Sequence, residues 1–341
     1  MSVAIPGQSM TLADMAKTFG GERDPIRILV NYMSQQTPLA EDIMFRPTNK
    51  DTAYIFRATN ALPAVSFRKI NEGVFPTRGS AVIITETTSR LESTFVIDEY
   101  LMDISSDRNV YRLEQAQMHM ESFMQKFAEE LWYGNRAGDP QGLQGLSERY
   151  SNMTGPAADQ IIDAGGETDN GNASIWIVTH GDSAFHGIYP RNTKAGFSHT
   201  PGVKENIVDK YDPTTGQSST YEGYLDRFKW DIGMALVDWR QVVRICNIDV
   251  NSLSTAGTAN DDAPDLLLLM TRAANRLKSL TKGRISIYMN RTVKEAWEVQ
   301  LLKKQNLALT FDSATGKIVT GFHGWPIKTD DMLLNTEELV S

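Results

Sequence analysis

The stretch from Ser106 to Gly134 constrains this chain more than any other. Val110, Leu113, Ala116, Met120, Phe123, Met124, Phe127 and Leu131 recur at helical spacing and make one apolar stripe. Arg112, Glu114, Gln115, Gln125, Lys126, Glu129 and Glu130 fall mostly on the opposite face. Ser106 or Asp107 supplies a cap, Gly134 supplies a stop, and neither Pro nor Gly interrupts the run. At 1.5 Å per residue this is a rod of roughly 40 Å, about twice an ordinary helix. A rod with a one-sided stripe predicts the backbone of a flat or elongated domain; a large helix of an all-α enzyme fits the same pattern. Met120, Phe123, Phe127 and Leu131 are its expected core contacts.

The 341 residues exceed the ~250–300 at which a single core stops growing, so two lobes, or one lobe with long extensions, are expected. The net charge of −8, with no basic run, disfavours a dedicated nucleic-acid binder. No run of about 18 apolar residues exists to span a membrane. Residues Met1 to Gly7 lack the charged-then-apolar order of a signal peptide. The one cysteine, Cys246, has no internal disulfide partner and reads as a small core residue. A reducing cytoplasm, or a compartment where redox is indifferent, is expected.

Along the chain, Asp24-Pro25 and Thr37-Pro38 are capping devices that open short helices. Residues 1–45 therefore read as an arm whose Ile28, Leu29, Val30, Met33 and Leu39 need another surface. Thr52–Thr59 reads as a strand, Asn60–Gly79 as a polar, charged stretch, and Ser80–Asp98 as β-branched strand sequence. Together they predict a long two-stranded excursion with an irregular tip and no core of its own. Beyond the long helix, Ser174–Thr179 is a strand, 191–221 a polar excursion, and Phe228–Val237 and Gln241–Ile248 two further strands. Asp262 or Asp265 opens a helix, Ile285–Met289 is a strand, and Thr292 with Glu295 forms a capping box. A turn at Asp312–Gly316 and a strand at Trp325–Lys328 close the chain.

Chemistry is sparsely signalled. His180, Asp182 and His186 lie close together after a strand, which resembles a metal site, but a polar turn explains them better. Gly165, Gly166 and Gly171 lack the strand–glycine–helix setting of a nucleotide cradle, and Ala314–Lys317 lacks the first glycine of a P-loop. Ser183 and Cys246 have no nucleophile motif around them. Asp261-Asp262 and Asp330-Asp331 read as cap and turn acids. No catalytic, cofactor or metal residue is expected, and no cofactor.

Several segments resemble the major capsid proteins of short-tailed bacteriophages. They are Val178–Pro190 with its Gly187-Ile-Tyr-Pro190, Lys194–Gly196, Phe228–Gly233, Asp238–Arg240, Val243–Asp249, Tyr288–Arg291 and Gly321–Pro326. The resemblance covers most of the chain from about residue 100. It implies an α+β fold of the Hong Kong 97 type, shared with herpesvirus capsid floors and encapsulins. On that fold 1–45 becomes an N-terminal arm and 46–101 an extended loop. Residues 102–255 become a peripheral domain, with its spine helix at 106–134 and a surface insertion near 191–221. Residues 256–341 become an axial domain. In the commoner order the axial segment follows the spine helix, whereas here the Phe228–Asp249 strand pair comes first, so a rearranged strand order is expected.

The implied function is a structural, non-enzymatic protein that assembles as hexamers and pentamers into an icosahedral shell around double-stranded DNA. An encapsulin-like compartment shell is the alternative, and an enzyme built on His180, Asp182 and His186 a third reading. Implied partners are capsid neighbours of the same kind, with scaffolding, decoration and portal proteins, proximity to packaged DNA, and no membrane. The implied location is the virion, after assembly in the host cytoplasm. The tip carries apolar Ala64, Val65, Phe67, Ile70, Val74 and Phe75 beside Arg68, Lys69, Glu72 and Arg78. A solvated loop has no use for such residues, so they are expected at a subunit interface, as are Ile28 and Met33 of the arm.

Overall fold

The computed structural model describes residues 37–341 apart from 105–107, 168, 194, 197, 212–217, 256–262, 304–308 and 312–317. Ile28 and Met33 of the arm, the Ser106 and Asp107 caps, Asp261-Asp262 and the Asp312–Gly316 turn lie outside the described residues. The strands in chain order are β1 (Phe45–Pro47), β2 (Ala53–Ala61), β3 (Ser80–Thr87), β4 (Ser89–Asp98), β5 (Ile161–Asp163), β6 (Asn172–His180), β7 (Phe185–Tyr189) and β8 (Ser198–Thr200). They continue with β9 (Lys204–Tyr211), β10 (Ser218–Leu236), β11 (Val242–Asp249), β12 (Arg284–Met289), β13 (Leu309–Phe311), β14 (Ile318–Phe322) and β15 (Trp325–Thr329). The main helices are Arg108–Tyr133, Leu266–Arg276 and Arg291–Lys303.

The chain divides into two compact units. The larger holds 35–89, 127–195 and 232–341, and is built on one mixed sheet in the order β13-β14-β15-β12-β6-β11-β5. Its centre, β6, is buried at all nine positions. Ile175 and Ile177 point to one face, where Val243, Ile245, Ile285 and Ile287 meet Leu266, Met270, Ala273, Val293 and Trp297 of two helices. Trp176 points to the other, 5.5 Å from the ring of Trp132 and 5.9 Å from that of Tyr150. A strand covered on both faces has no solvent side to show, hence the apolar run Ile175–Val178 at its centre. Each such side chain contributes about 1.5–3 kcal/mol by leaving water.

The helices start where their caps allow. Asp265 accepts from the Leu268 N–H at 3.2 Å. The last long helix is capped by Asn290, which accepts from the Val293 N–H at 2.8 Å, and not by the expected Thr292 box. Thr292 already lies inside the first turn, because that helix begins at Arg291. The helix Arg108–Tyr133 is 26 residues long. It ends where Gly134 donates its N–H to the Glu130 carbonyl at 3.1 Å, and a Cβ there would stand 2.5 Å from the Leu143 carbonyl oxygen. Phe123, Phe127 and Leu131 are buried, but Met120 is 47% exposed, contrary to expectation. Seven residues separate Met120 from Phe127, so both lie on one helical line. The subunit covers that line from Phe123 onward and stops short of Met120.

The smaller unit contains 90–126 and 196–231. Its axis is β10, paired antiparallel with β9 and then β8, and adjacent to β4. Asp226 is buried on β10. It accepts from the Arg112 guanidinium and from the Gly202 N–H at 2.7 Å, with His199 Nε2 at 3.3 Å. The Phe228 ring is stacked between His119 and His199, with centroids at 5.0 and 4.6 Å.

Two expected boundaries change. A division at 255/256 would cut one sheet, since β12 pairs with β6 over five positions. Phe228–Asp249 is not a strand pair: among the described residues β10 joins β4, β7, β8 and β9, while β11 joins β5 and β6. Both are apolar strands with five residues between them, which looks like a hairpin in sequence, but the Asp238–Gln241 turn sends them to different neighbours. Within 46–101, β2 and β3 form a separate two-stranded sheet among the described residues. β1 pairs with β7, and β4 lies beside β10. β3 and β4 follow one another as strand sequence with β-branched residues in both, so the pattern does not say which one leaves the body.

Candidate assembly surface

The hairpin β2–β3 is antiparallel from Ala53↔Thr87 to Ala61↔Ser80. Its two ends differ completely. At the root, Glu86 is buried and its carboxylate takes both arms of the Arg149 guanidinium, at 2.6 and 2.9 Å. The Ser89 hydroxyl donates to the Gly142 carbonyl at 3.1 Å. The Tyr54 ring sits edge-on to His186, with centroids 5.2 Å apart. The Asn49 amide pairs with the Ile55 backbone at both donor and acceptor, 2.6 and 2.8 Å. A Cβ at Gly233 would stand 2.9 Å from the Thr87 carbonyl oxygen, so glycine lets the root lie down on β10.

The tip, from Leu62 to Gly79, has no strand or helix. It is nevertheless shaped. The Glu72 N–H donates to the Lys69 carbonyl at 3.3 Å across a turn with Asn71 at φ +66°. Arg68 Nε donates to the Glu72 carbonyl at 3.0 Å, and the Thr77 hydroxyl to Ala64 at 2.8 Å. Val65, Phe67, Ile70 and Phe75 are each at least nine-tenths exposed, and Leu62 and Val74 are exposed beside them. Arg68, Lys69, Glu72 and Arg78 are exposed as well. Large apolar side chains exposed together on one segment make the kind of patch that marks interaction sites.

Of the residues that looked like a metal site, the two histidines are packed in the interior and Asp182 is held in a surface ion pair. The buried His180 places Nε2 2.7 Å from the Tyr288 hydroxyl, and burial lowers its pKa to about 4, so it is neutral. His186 is fully buried against Tyr54, its pKa lowered first by burial and then by Arg46. Asp182 pairs with Arg46 at the surface. No group of three or more His, Cys, Asp or Glu side chains able to hold a metal occurs among the described residues. Cys246 is buried, and burial pushes its thiol up to about 12.

Two charged clusters escaped sequence reasoning. Asp42 accepts from the Tyr288 hydroxyl at 2.6 Å and from Lys328 at 2.6 Å, and pairs with Arg284. Burial raises its pKa, but these partners outweigh burial and hold it below the usual value. Arg244 and Glu337, both buried, meet at 2.9 Å, and Arg244 lies 5.0 Å over the Trp176 ring. An Arg inside an apolar strand run was the available signal, because a buried charge demands a partner.

Among solved structures, a chain of bacteriophage Epsilon15, determined by cryo-EM, matches with a TM-score of 0.77. It is 25% identical, over 97% of each chain. The bacteriophage JBD30 capsid matches at TM-score 0.49 with 9% identity, over 95% of this chain and 99% of that one. The SrpI encapsulin of Synechococcus elongatus PCC 7942 matches at 0.44 with 9% identity, over 71% and 96%. No curated protein matches the sequence. The fold is that of a tailed-phage capsid subunit of the Hong Kong 97 type. The chain belongs to the major capsid protein GP7 family, whose model matches residues 21–341.

Proposed function

We propose that this major capsid protein assembles as hexamers and pentamers into an icosahedral shell enclosing double-stranded DNA, and that the hairpin tip is its grip on the next subunit. The exposed tip carries the proposal: Val65, Phe67, Ile70 and Phe75 have no core of their own. A neighbouring copy covers them by apolar contact, with Arg68, Lys69, Glu72 and Arg78 pairing at the rim. In this reading the hairpin and its tip are the extended loop, and Arg108–Tyr133 is the spine helix. Residues 256–341, with the helices Leu266–Arg276 and Arg291–Lys303, are the axial domain. The role is structural, without catalysis: His180, His186 and Cys246 all serve packing. The net charge of −8 suits a wall that encloses DNA without gripping it. Scaffolding, decoration and portal proteins are its further partners, the host cytoplasm its place of assembly and the virion its destination. Ile28 and Met33 act at the same kind of contact. Among the described residues no helix is long and apolar enough to cross a membrane.

Deleting Leu62–Arg78 tests the proposal. The expected product is a folded, soluble subunit that forms no closed shells by sedimentation and electron microscopy. Normal shells contradict the grip, and loss of folding shows that the tip belongs to the subunit's own core.

A further inference from the structure

Among the described residues the hairpin is a two-stranded sheet with no third strand beside it, so its root sets the direction in which it leaves the body. Nine residues of β2 extend about 30 Å at roughly 3.3 Å per residue. A tilt of about 10° at the root moves the far end by about 5 Å, more than the ~4–4.5 Å that defines a side-chain contact. An error at the root is therefore enough to miss the neighbour.

Besides resting against His186 and Gly233, the root is bolted to the end of the long helix. Arg149 ends the short helix Leu146–Arg149, and its Nε donates to the Gln144 carbonyl at 3.1 Å, fixing the fork that grips Glu86. The loop before that helix is stapled to the end of the long helix. Gly145 N–H donates to the Gly134 carbonyl at 2.6 Å, and Leu143 N–H to Glu130 Oε2 at 3.1 Å. A Cβ at Gly145 would stand 2.6 Å from the Gly134 nitrogen. Ser89 reaches the same loop at Gly142. The hairpin thus takes its bearing from the terminus of the long helix, through Arg149. Charge pairs at a surface are worth little, but this one is sheltered: the side chains of Arg149 and Glu86 are 19% and 8% exposed. The two-pronged geometry fixes an angle that a single contact leaves free.

We propose that Arg149 and Glu86 are the positioning pair for assembly: their ion pair aims the hairpin so that its tip meets the next subunit. This rests on the tip being an intersubunit contact. Neither residue is proposed to touch the neighbour.

The test uses the full chain with Glu86→Gln, Arg149→Lys, and the reversed pair Glu86→Arg with Arg149→Glu. Each variant is scored for melting temperature, backbone hydrogen exchange over 53–61 and 80–87, and closed shells by electron microscopy. Each single substitution should leave a folded subunit, speed exchange in the hairpin, and lose closed shells in favour of open or irregular particles. The reversed pair should regain closed shells. Normal shells from both single variants overturn the proposal. So does a single variant that no longer folds, which assigns the pair to the body's core, or a reversed pair that regains nothing. The tip deletion run alongside separates the two ideas. If the deletion forms shells, the reading of the tip fails. If the deletion abolishes shells while Glu86→Gln forms them normally, only the positioning role fails.

Discussion

Phe127 is fully buried beside the Phe45 ring, at 6.0 Å between centroids. Phe127→Ala should cost about 3–5 kcal/mol of folding stability, read from chemical denaturation. An unchanged midpoint would place the wrong face of the helix inward. Asp330 makes a different prediction. Burial pushes its carboxyl from 3.8 up to about 6, against the pull of the Met332 N–H and the Trp132 indole. The native state therefore holds this proton more tightly than the unfolded chain does, and the ionised form is the costly one. Its favourable contribution is complete below pH 3.8 and is lost as pH rises through about 6. Carbon-13 NMR should show the Asp330 carboxyl titrating near 6, and Asp330→Asn should flatten the pH dependence of stability between about pH 4 and 7. Titration near the ordinary value would contradict its burial. Removing one member of a buried ion pair strands the other, so Arg244→Met should cost about 3–5 kcal/mol. A denaturation midpoint that stays put would mean that Glu337 finds water. Sequence signals only that Arg244, inside an apolar strand run, needs a partner; it does not say which residue that is. The partners of Asp330 and Arg244 lie far along the chain, and spacing along the sequence does not encode them.

At the scale of elements, legibility followed periodicity. The long helix was plain because its stripe and its Gly134 stop agree, and β6 and β12 because an apolar run between turns has few other uses. The tip was legible for the opposite reason, apolar residues amid charge with no period. Pairing was not legible: nothing in β10 and β11 says that they part company at Asp238. The Asn290 cap was also missed, because Thr292 and Glu295 spell a capping box two residues later. Asn290→Ala should therefore destabilise by about 0.5–2 kcal/mol, whereas Thr292→Ala should cost less. The reverse order in thermal melts would restore the box.

The larger unit joins a sheet whose central strand is buried on both faces to a hairpin that is anchored at its root and apolar at its tip. Interior packing alone does not require such a tip; in the proposed shell each copy would cover a neighbour and itself be covered. Hydroxyl-radical footprinting compares the same side chains inside assembled particles and in dissociated subunits. Phe67 and Phe75 should be strongly protected in the particle and freely labelled in the subunit, while buried Phe127 stays protected in both. Equal labelling of Phe67 and Phe75 in the two states would contradict the tip as the grip between subunits.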